Sequence, residues 1–355
     1  MAQDANRQWR VARYPEAGEE ISAALFSWDE EPMPNPEQGE FLVRTICLAP
    51  GPAQRGYLDL KPTTTLEKVP IGDVMRGRGV GQIIASRNPE FAENEIFVGS
   101  LGWQDYSIQK PRGSDFVFST KKVTDPVKPL STAVGILGQA GVTAYLGLLN
   151  IGNFTAGDTV LVSAGAGGIG SVVGQIAKIM GAKRVVGTTS SDKKCDWLCN
   201  VVGFDAAINY KTENYDDRLG ALFPDGIDVF FDNVGGDILN IGLTHLAMHA
   251  RVVICGYIST DYVRGAVNGP INYRYLLARR ARMEGFVNFD YWGDTYTEAE
   301  RALTDWYRAG ALVNTEDEVI GLERMPDALA SLFTGGNMGI KMCRIAPDPD
   351  FEDIV

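Results

Sequence analysis

The hydrophobic rhythm of the chain changes once past residue 128. Before it, short stretches rich in β-branched and aromatic residues, such as Gly39-Glu-Phe-Leu-Val-Arg-Thr-Ile-Cys47, are broken by frequent Pro and Gly. This predicts an irregular, mostly β region with many turns. Further on, Thr159-Val-Leu-Val162 reads as a short buried strand followed by a glycine cluster. Ile169, Val172, Val173, Ile176, Ala177 and Met180 then fall at i, i+3, i+4, i+7, i+8 and i+11, one apolar helical face closed by Gly181. Val185-Val186-Gly187 is the next strand, Lys193 to Val202 a helix, and Ala206 to Asn209 another strand. Strands at Ile227 to Asp232, Arg251 to Cys255 and Met283 to Val287 continue the series. Strands alternating with helices predict an α/β class with a parallel sheet wound on both faces. No internal repeat or low-complexity tract interrupts it.

Directly after the first of these strands comes Ser163-Ala-Gly165-Ala-Gly167-Gly168-Ile-Gly170, in which Gly165, Gly167 and Gly170 fit G-x-G-x-x-G. The first glycine permits a tight turn, the second lets backbone approach a pyrophosphate, and the third lets helix pack on strand. The helix start adds free N–H donors and the positive end of its dipole. A lone match is weak, an ordinary glycine-rich turn being the other reading; one between a strand and an amphipathic helix has the context expected of a dinucleotide site. There is no G-x-x-x-x-G-K-[ST], so a nucleotide triphosphatase is not the alternative. The second strand ends Gly187-Thr188-Thr189-Ser190-Ser191-Asp192-Lys193-Lys194. An NAD site usually places a carboxylate there for the ribose hydroxyls. Hydroxyls and ammonium groups suit a 2′-phosphate instead, so the expected cofactor is NADPH. Asp192 is the one discordant charge, and the lysines read alternatively as a solvated helix start.

Composition narrows the chemistry. The 355 residues carry 33 Lys+Arg against 45 Asp+Glu, a net charge of −12. That argues against nucleic acid or an anionic membrane surface, both of which demand clustered positive charge. The arginines of Asn272 to Arg282 read as solvated or near phosphate, on a helix whose apolar members pack on the sheet. The acidic end, Asp348 to Asp353, reads as a solvated terminus. Pro129 to Gly157 has no charged residue, but its glycines and amides favour buried domain interior over a membrane span. The 5 scattered cysteines read as reduced thiols, and the polar amino-terminus has no apolar signal core, so a soluble cytoplasmic protein is expected. With only 2 histidines, imidazole chemistry would have to recruit His245 or His249, which are expected to share an i, i+4 helical face without the Glu of a zincin motif.

With the glycine loop and its flanks in view, the chain resembles the medium-chain dehydrogenase/reductase superfamily. It is most similar to the zinc-free branch of prostaglandin reductases, plant alkenal double-bond reductases and bacterial curcumin reductases. The resemblance runs through Gly141-Val-Thr-Ala-Tyr145, Ser171-Val-Val-Gly-Gln-Ile-Ala-Lys178, Phe204-Asp-Ala-Ala-Ile-Asn-Tyr-Lys-Thr212, Phe231-Asp-Asn-Val-Gly-Gly236, Arg282-Met-Glu-Gly-Phe286 and Gly336-Asn-Met-Gly339. It implies a Rossmann-type NADP-binding domain over 129–309. That domain would be inserted in a mostly β, GroES-like catalytic domain made of 1–128 and 310–355, with the cofactor in the cleft. A homodimer through the cofactor domain is implied as well.

Carried over by motif, Ser191 and Lys194 would hold the 2′-phosphate and Tyr210 the adenosine side. Gly165, Gly167, Gly168, Gly170 and Gly187 would run along the dinucleotide, and Asn233, Cys255 and Asn337 would line the cofactor cleft. Thr143 and the backbone near Phe286 and Val287 would fix the nicotinamide end. The resemblance also implies that Tyr262, or Tyr257, donates a proton to an oxygen gaining negative charge. Here Cys255-Gly-Tyr-Ile-Ser-Thr-Asp-Tyr262 has one residue more than the family run before the tyrosine, and a surface-loop tyrosine is the other reading.

Other departures concern substrate. Gly51-Pro-Ala-Gln-Arg55 replaces a family Asp-Pro-Tyr-Met-Arg, so Ala53 stands where a pocket tyrosine is expected, ahead of Arg55. Gln139 adds an amide near the nicotinamide end. Trp103 and Tyr106 wall the pocket or belong to the core. Zinc is not expected, since Gly77-Arg78-Gly79 stands where zinc relatives carry Gly-His-Glu and only Cys47 precedes residue 195 as a thiol. The expected activity is NADPH-dependent reduction of the activated carbon–carbon double bond of unsaturated ketones or aldehydes. The alternatives are a zinc-free quinone or carbonyl reductase, and a cofactor-binding protein with little turnover.

Overall fold

A computed structural model describes residues 5–58, 67–110, 120–259 and 269–350. They form two compact units: Met1–Gly135 with Asp317–Gly336 and Lys341–Val355, and Ile136–Glu316 with Asn337–Ile340.

The first unit begins with β1 (Ala5–Val11) and β2 (Phe26–Pro32), an antiparallel pair in which Trp9 faces Trp28. The two indoles meet edge-on with centroids 5.1 Å apart, a favoured aromatic geometry. Next come β3 (Phe41–Ala49), β4 (Arg78–Ser86), β5 (Ile96–Ser100), β6 (Tyr106–Gln109) and β7 (Lys121–Val123). These belong to a sheet that the carboxy-terminal part of the chain completes.

The second unit opens with α1 (Gln139–Tyr145), extended by a π-helical turn over Leu146–Ile151. Then follow β8 (Thr159–Val162), α2 (Gly168–Ile179), β9 (Arg184–Thr189), α3 (Asp192–Trp197), β10 (Ala206–Asn209), α4 (Tyr215–Leu222) and β11 (Ile227–Asp232). α5 (Gly236–Gly242), β12 (Leu246–Ile254), α6 (Arg274–Arg279), β13 (Arg282–Gly285) and α7 (Asp294–Arg308) complete the series. All strand pairs are parallel, in the order β10-β9-β8-β11-β12-β13. Counted from β8 this is 3-2-1-4-5-6, the Rossmann order, with its switch point between β8 and β11. Val160, Leu161 and Val162 are wholly buried, each worth ~1.5–3 kcal/mol of apolar burial.

α2 is buried around most of its girth, from Gly170 to Ala177, because α1 packs on it as well as the sheet. Its polar positions are satisfied within the unit. Gln175 Oε1 accepts from Val313 N at 2.7 Å, and Ser171 Oγ lies 3.3 Å from Thr315 Oγ1.

The carboxyl end of the α1 helix is capped by arginines. Arg251 donates to Gly152 O at 2.8 Å and Arg282 to Ile151 O at 2.6 Å, satisfying terminal carbonyls. These arginines, with Asn153, His249 and Arg280, line an open cavity of about 390 Å³.

β14 (Glu316–Ile320), α8 (Met325–Phe333) and β15 (Ile340–Arg344) follow, and the strands complete the sheet β14-β15-β3-β4-β5-β7, with β6 also on β3. Phe41, Phe97, Trp103, Leu322 and Leu329 are in the core of the first unit.

Three expectations are corrected. His245 and His249 share no helical face: His245 ends a short 3₁₀ turn and His249 lies in β12 at φ 62°, where the pairing with β11 skips register. The last parallel strand is Arg282–Gly285 rather than Met283–Val287. Asp348 is not a solvated acid, since it accepts from Leu130 N at 2.9 Å and from Arg344 at 2.8 Å.

Candidate cofactor site

The glycine loop follows β8, and its geometry explains each glycine. Ala164 takes a left-handed φ of 48° to turn the chain, a conformation that costs an L-residue ~1–2 kcal/mol. Gly165 N donates to Thr188 O at 2.9 Å, tying the loop to the end of β9. A Cβ on Gly165 would lie 3.0 Å from the Gly187 Cα, and one on Gly170 would run into the Ala164 carbonyl oxygen. A Cβ on Gly167 would meet nothing but that oxygen, at 3.1 Å, so this backbone face is open to a close approach. α2 starts at Gly168 with no side chain capping it, which leaves its first N–H groups available to an anion.

The loop is braced from the switch point. The Ser163 hydroxyl donates to Asp232 Oδ1 at 2.6 Å, and Asn233 Nδ2 donates to Ser163 O at 2.8 Å. Asp232 is fully buried and also accepts from the backbone N–H of Val234 and Gly235 at 3.1 and 2.9 Å. Burial pushes its carboxyl above the usual range, opposed by these hydrogen bonds. Asn233 thus braces the loop with its amide. The segment 337–340 does the same from the other side. Asn337 Nδ2 donates to Gly339 O at 3.0 Å, and Gly339 N donates to Ala166 O at 2.8 Å.

At the end of β9, Thr188 is buried with a hydroxyl that has no hydrogen-bond partner among the described residues. Such an orphan beside a ligand-type loop fits a bound polar group. Ser191 is the residue before α3 and Lys194 lies half-buried in its first turn. Asp192, the discordant carboxylate, accepts from Asn209 Nδ2 at 2.7 Å. Tyr210 is half-exposed and bonded to Ser190, with its phenol pushed up by burial.

Beyond β12, Cys255 N donates to Asp232 O at 2.8 Å, and the thiol is pushed up to about 12 by burial and by the Asp232 charge. Tyr257 is exposed, and its backbone sits over Gly235 in a turn closed by Ser259 N on Val234 O at 3.1 Å. Tyr262 lies outside the described residues. Thr143 is in α1, beside Gln139, while Phe286 is half-buried and Val287 exposed after β13. In the first unit Ala53 is exposed, Arg55 buried and Tyr106 half-buried on β6. Trp103 is fully buried against Phe26, which places it in the core.

Asp232 and a buried Asn288 belong to this arrangement without having been singled out by sequence motif. Asn288 had one signal, an amide inside the apolar run Gly285-Phe-Val-Asn-Phe289.

The glycine loop, the uncapped helix start and the switch point define a dinucleotide-binding α/β unit. The chain also matches two family models, one described as zinc-binding dehydrogenase over residues 168–305 and one as the N-terminal domain of oxidoreductase over residues 7–117. It is 33% identical over 347 residues to the NADPH-dependent curcumin reductase of Escherichia coli, covering 97% of this chain and 98% of the relative. It is 36% identical over 308 residues to the NADP⁺-dependent 2-alkenal reductase of Nicotiana tabacum, covering 86% and 88%. The crystal structure of CurA from Vibrio vulnificus in complex with NADPH superposes with a TM-score of 0.88 at 34% identity, over 97% of this chain and 100% of that one.

The chain belongs to the medium-chain dehydrogenase/reductase family, in the branch that holds the curcumin, 2-alkenal and prostaglandin reductases. Its fold is the Rossmann and GroES-like pair of that family, and it is a reductase that uses NADPH. The zinc in the family model's description does not fit these residues. Cys47 is buried with its thiol turned to Leu48 O at 3.7 Å, and Arg78 follows Gly77 on β4. Among the described residues no three His, Cys, Asp or Glu side chains gather to hold a metal. No described helix is long and apolar enough to cross a membrane.

Proposed function

We propose that this protein reduces the activated carbon–carbon double bond of α,β-unsaturated ketones or aldehydes. The observation that carries this reading is the likeness, over 86% of the chain, to a 2-alkenal reductase, whose named substrate is an unsaturated aldehyde. NADPH, when bound, supplies the hydride that reaches the β-carbon.

The chain's own residues then have four tasks. The glycine loop and the start of α2 bind the pyrophosphate through backbone N–H groups. Ser191 and Lys194 hold the 2′-phosphate, with charge-assisted hydrogen bonds from the lysine. Thr143 and the Phe286–Val287 backbone orient the nicotinamide end. Tyr262 or Tyr257 donates a hydrogen bond to the carbonyl oxygen as it gains negative charge, an interaction stronger in the transition state than in the ground state. Ala53, Arg55, Tyr106 and Gln139 are the proposed substrate contacts; Trp103, a core residue, is not carried forward.

The domain roles follow the same reading, with 129–309 binding the cofactor and 1–128 with 310–355 serving the substrate. A homodimer is supported by β13, an edge strand whose four residues are all exposed, and by exposed Leu277 and Val287 nearby. Light scattering tests it, and a monomer at micromolar concentration would contradict it. Five free cysteines accord with a cytoplasmic location.

The test of activity follows NADPH oxidation with a panel of enones, enals, quinones and saturated ketones, with products identified by mass. Saturated carbonyl products from the enones and enals are expected. An alcohol or quinol as the sole product would replace this reading with the quinone or carbonyl reductase alternative.

A further inference from the structure

Asn288 is buried, at 7% exposure, in a short 3₁₀ turn after β13. Its Nδ2 donates to Thr143 Oγ1 at 2.9 Å, and Thr143 Oγ1 in turn donates to Gln139 O at 2.7 Å, one helical turn back. A hydroxyl owns one proton and two lone pairs. Here the proton is committed to Gln139 O and one lone pair to Asn288. One acceptor position remains, and no donor.

A buried amide is an expensive way to join a turn to a helix, since an apolar side chain does so without polar desolvation. What the amide adds is polarity: it fixes which way the Thr143 hydroxyl points. We propose that Asn288 is a positioning residue that makes Thr143 an obligate hydrogen-bond acceptor, so that the nicotinamide end is recognised through an N–H donor, its carboxamide. The inference rests on the reading that Thr143 adjoins the nicotinamide.

Binding of NADP⁺ and of its 3-acetylpyridine analogue, measured by calorimetry, provides the test. The analogue carries a methyl ketone in place of the carboxamide and has no N–H to offer. A site built around a hydrogen bond rejects the ligand that lacks it. The wild-type protein is expected to prefer NADP⁺ by ~10-fold, the effect of one buried hydrogen bond. Asn288→Leu and the smaller Asn288→Ala, neither of which has a polar atom to orient the hydroxyl, are both expected to bring that ratio close to one. The preference for NADP⁺ over NAD⁺, set elsewhere, should be unchanged in both.

Thr143→Val should collapse the analogue ratio in the same way, and joining it to Asn288→Leu should add nothing, because the two act as one unit. If Thr143→Val collapses the ratio while both Asn288 variants preserve it, the role of Asn288 is overturned. If Thr143→Val also leaves the ratio intact, the placement of Thr143 at the nicotinamide fails, and the proposal with it. An unfolded Asn288→Leu transfers the decision to Asn288→Ala, and the Thr143→Val arm stands independently of both.

Discussion

Ser163 and Asp232 close the gap between the two central strands of the parallel sheet, with the serine hydroxyl donating to the carboxylate at 2.6 Å where the strand order reverses. The bond joins the start of the glycine loop to the turn at Val234 and Gly235, whose backbone N–H groups the same carboxylate accepts. One buried acid therefore sets the shape of the cofactor end of the sheet. Ser163→Ala removes one of its partners and is expected to cost ~1–3 kcal/mol, the penalty for an under-satisfied buried polar group. Urea unfolding measures it, and an unchanged midpoint would show that the brace is dispensable.

The same carboxyl predicts a pH dependence. Burial holds it above its ordinary value in the folded state, so between the unfolded and folded values the native protein binds more protons. Its contribution to stability is complete below the unfolded value and is lost as pH rises through the folded one. Relative to Asp232→Asn, the wild-type protein should gain stability as pH falls from neutral into the mildly acidic range. A difference that does not vary with pH would contradict this.

Gly170 has no room for a side chain, because a Cβ would meet the Ala164 carbonyl oxygen and lie 3.0 Å from the Gly165 Cα. Gly170→Ala is expected to lower stability by ~1–3 kcal/mol, the usual cost of overpacking, and to weaken NADPH binding by displacing α2 from its loop. Thermal melting with and without NADPH separates the two effects. A variant with wild-type melting and affinity would mean that the loop can open without loss.

Lys194 lies in the first turn of α3, and the nearby Asp192 is engaged by Asn209 at 2.7 Å. Lys194→Ala should weaken NADPH by ~10–100-fold, as expected for a lost charge-assisted hydrogen bond, with little change for NADH. Titration by cofactor fluorescence reads both constants. Equal losses for the two cofactors would move the 2′-phosphate elsewhere.

Cys195 lies close to the same segment, with its sulfur 3.2 Å from Thr189 Oγ1 and its thiol raised mainly by burial. Its alkylation should be slow, and slower still with NADPH in proportion to occupancy, whereas NADH at equal concentration should protect less. Peptide mass mapping after iodoacetamide treatment reports it. Protection identical for both cofactors would separate Cys195 from the phosphate site.

The central sheet was legible because strands buried on both faces are continuous apolar runs. Thr159–Val162, Ala206–Asn209 and Ile227–Asp232 have the bounds the pattern predicted. The glycine loop was legible because Gly165 and Gly170 answer local steric demands and Gly167 leaves a backbone face open. What escaped was long-range. An i, i+4 spacing of His245 and His249 carries no information about the skipped register between β11 and β12. The role of Asp348 depends on Leu130, 218 positions away. Asn288 likewise depends on Thr143, 145 positions earlier, which accepts from it. Local pattern fixes elements and their faces; polar partners depend on how those elements pack.

The most direct measurement is the position of the transferred hydrogen. An enone reduced with NADPH carrying deuterium at the transferable C4 position should give the saturated ketone with a single deuterium on the former β-carbon, read by NMR and mass spectrometry. Deuterium on the carbonyl carbon, in an allylic alcohol product, would contradict double-bond reduction as the function of this protein.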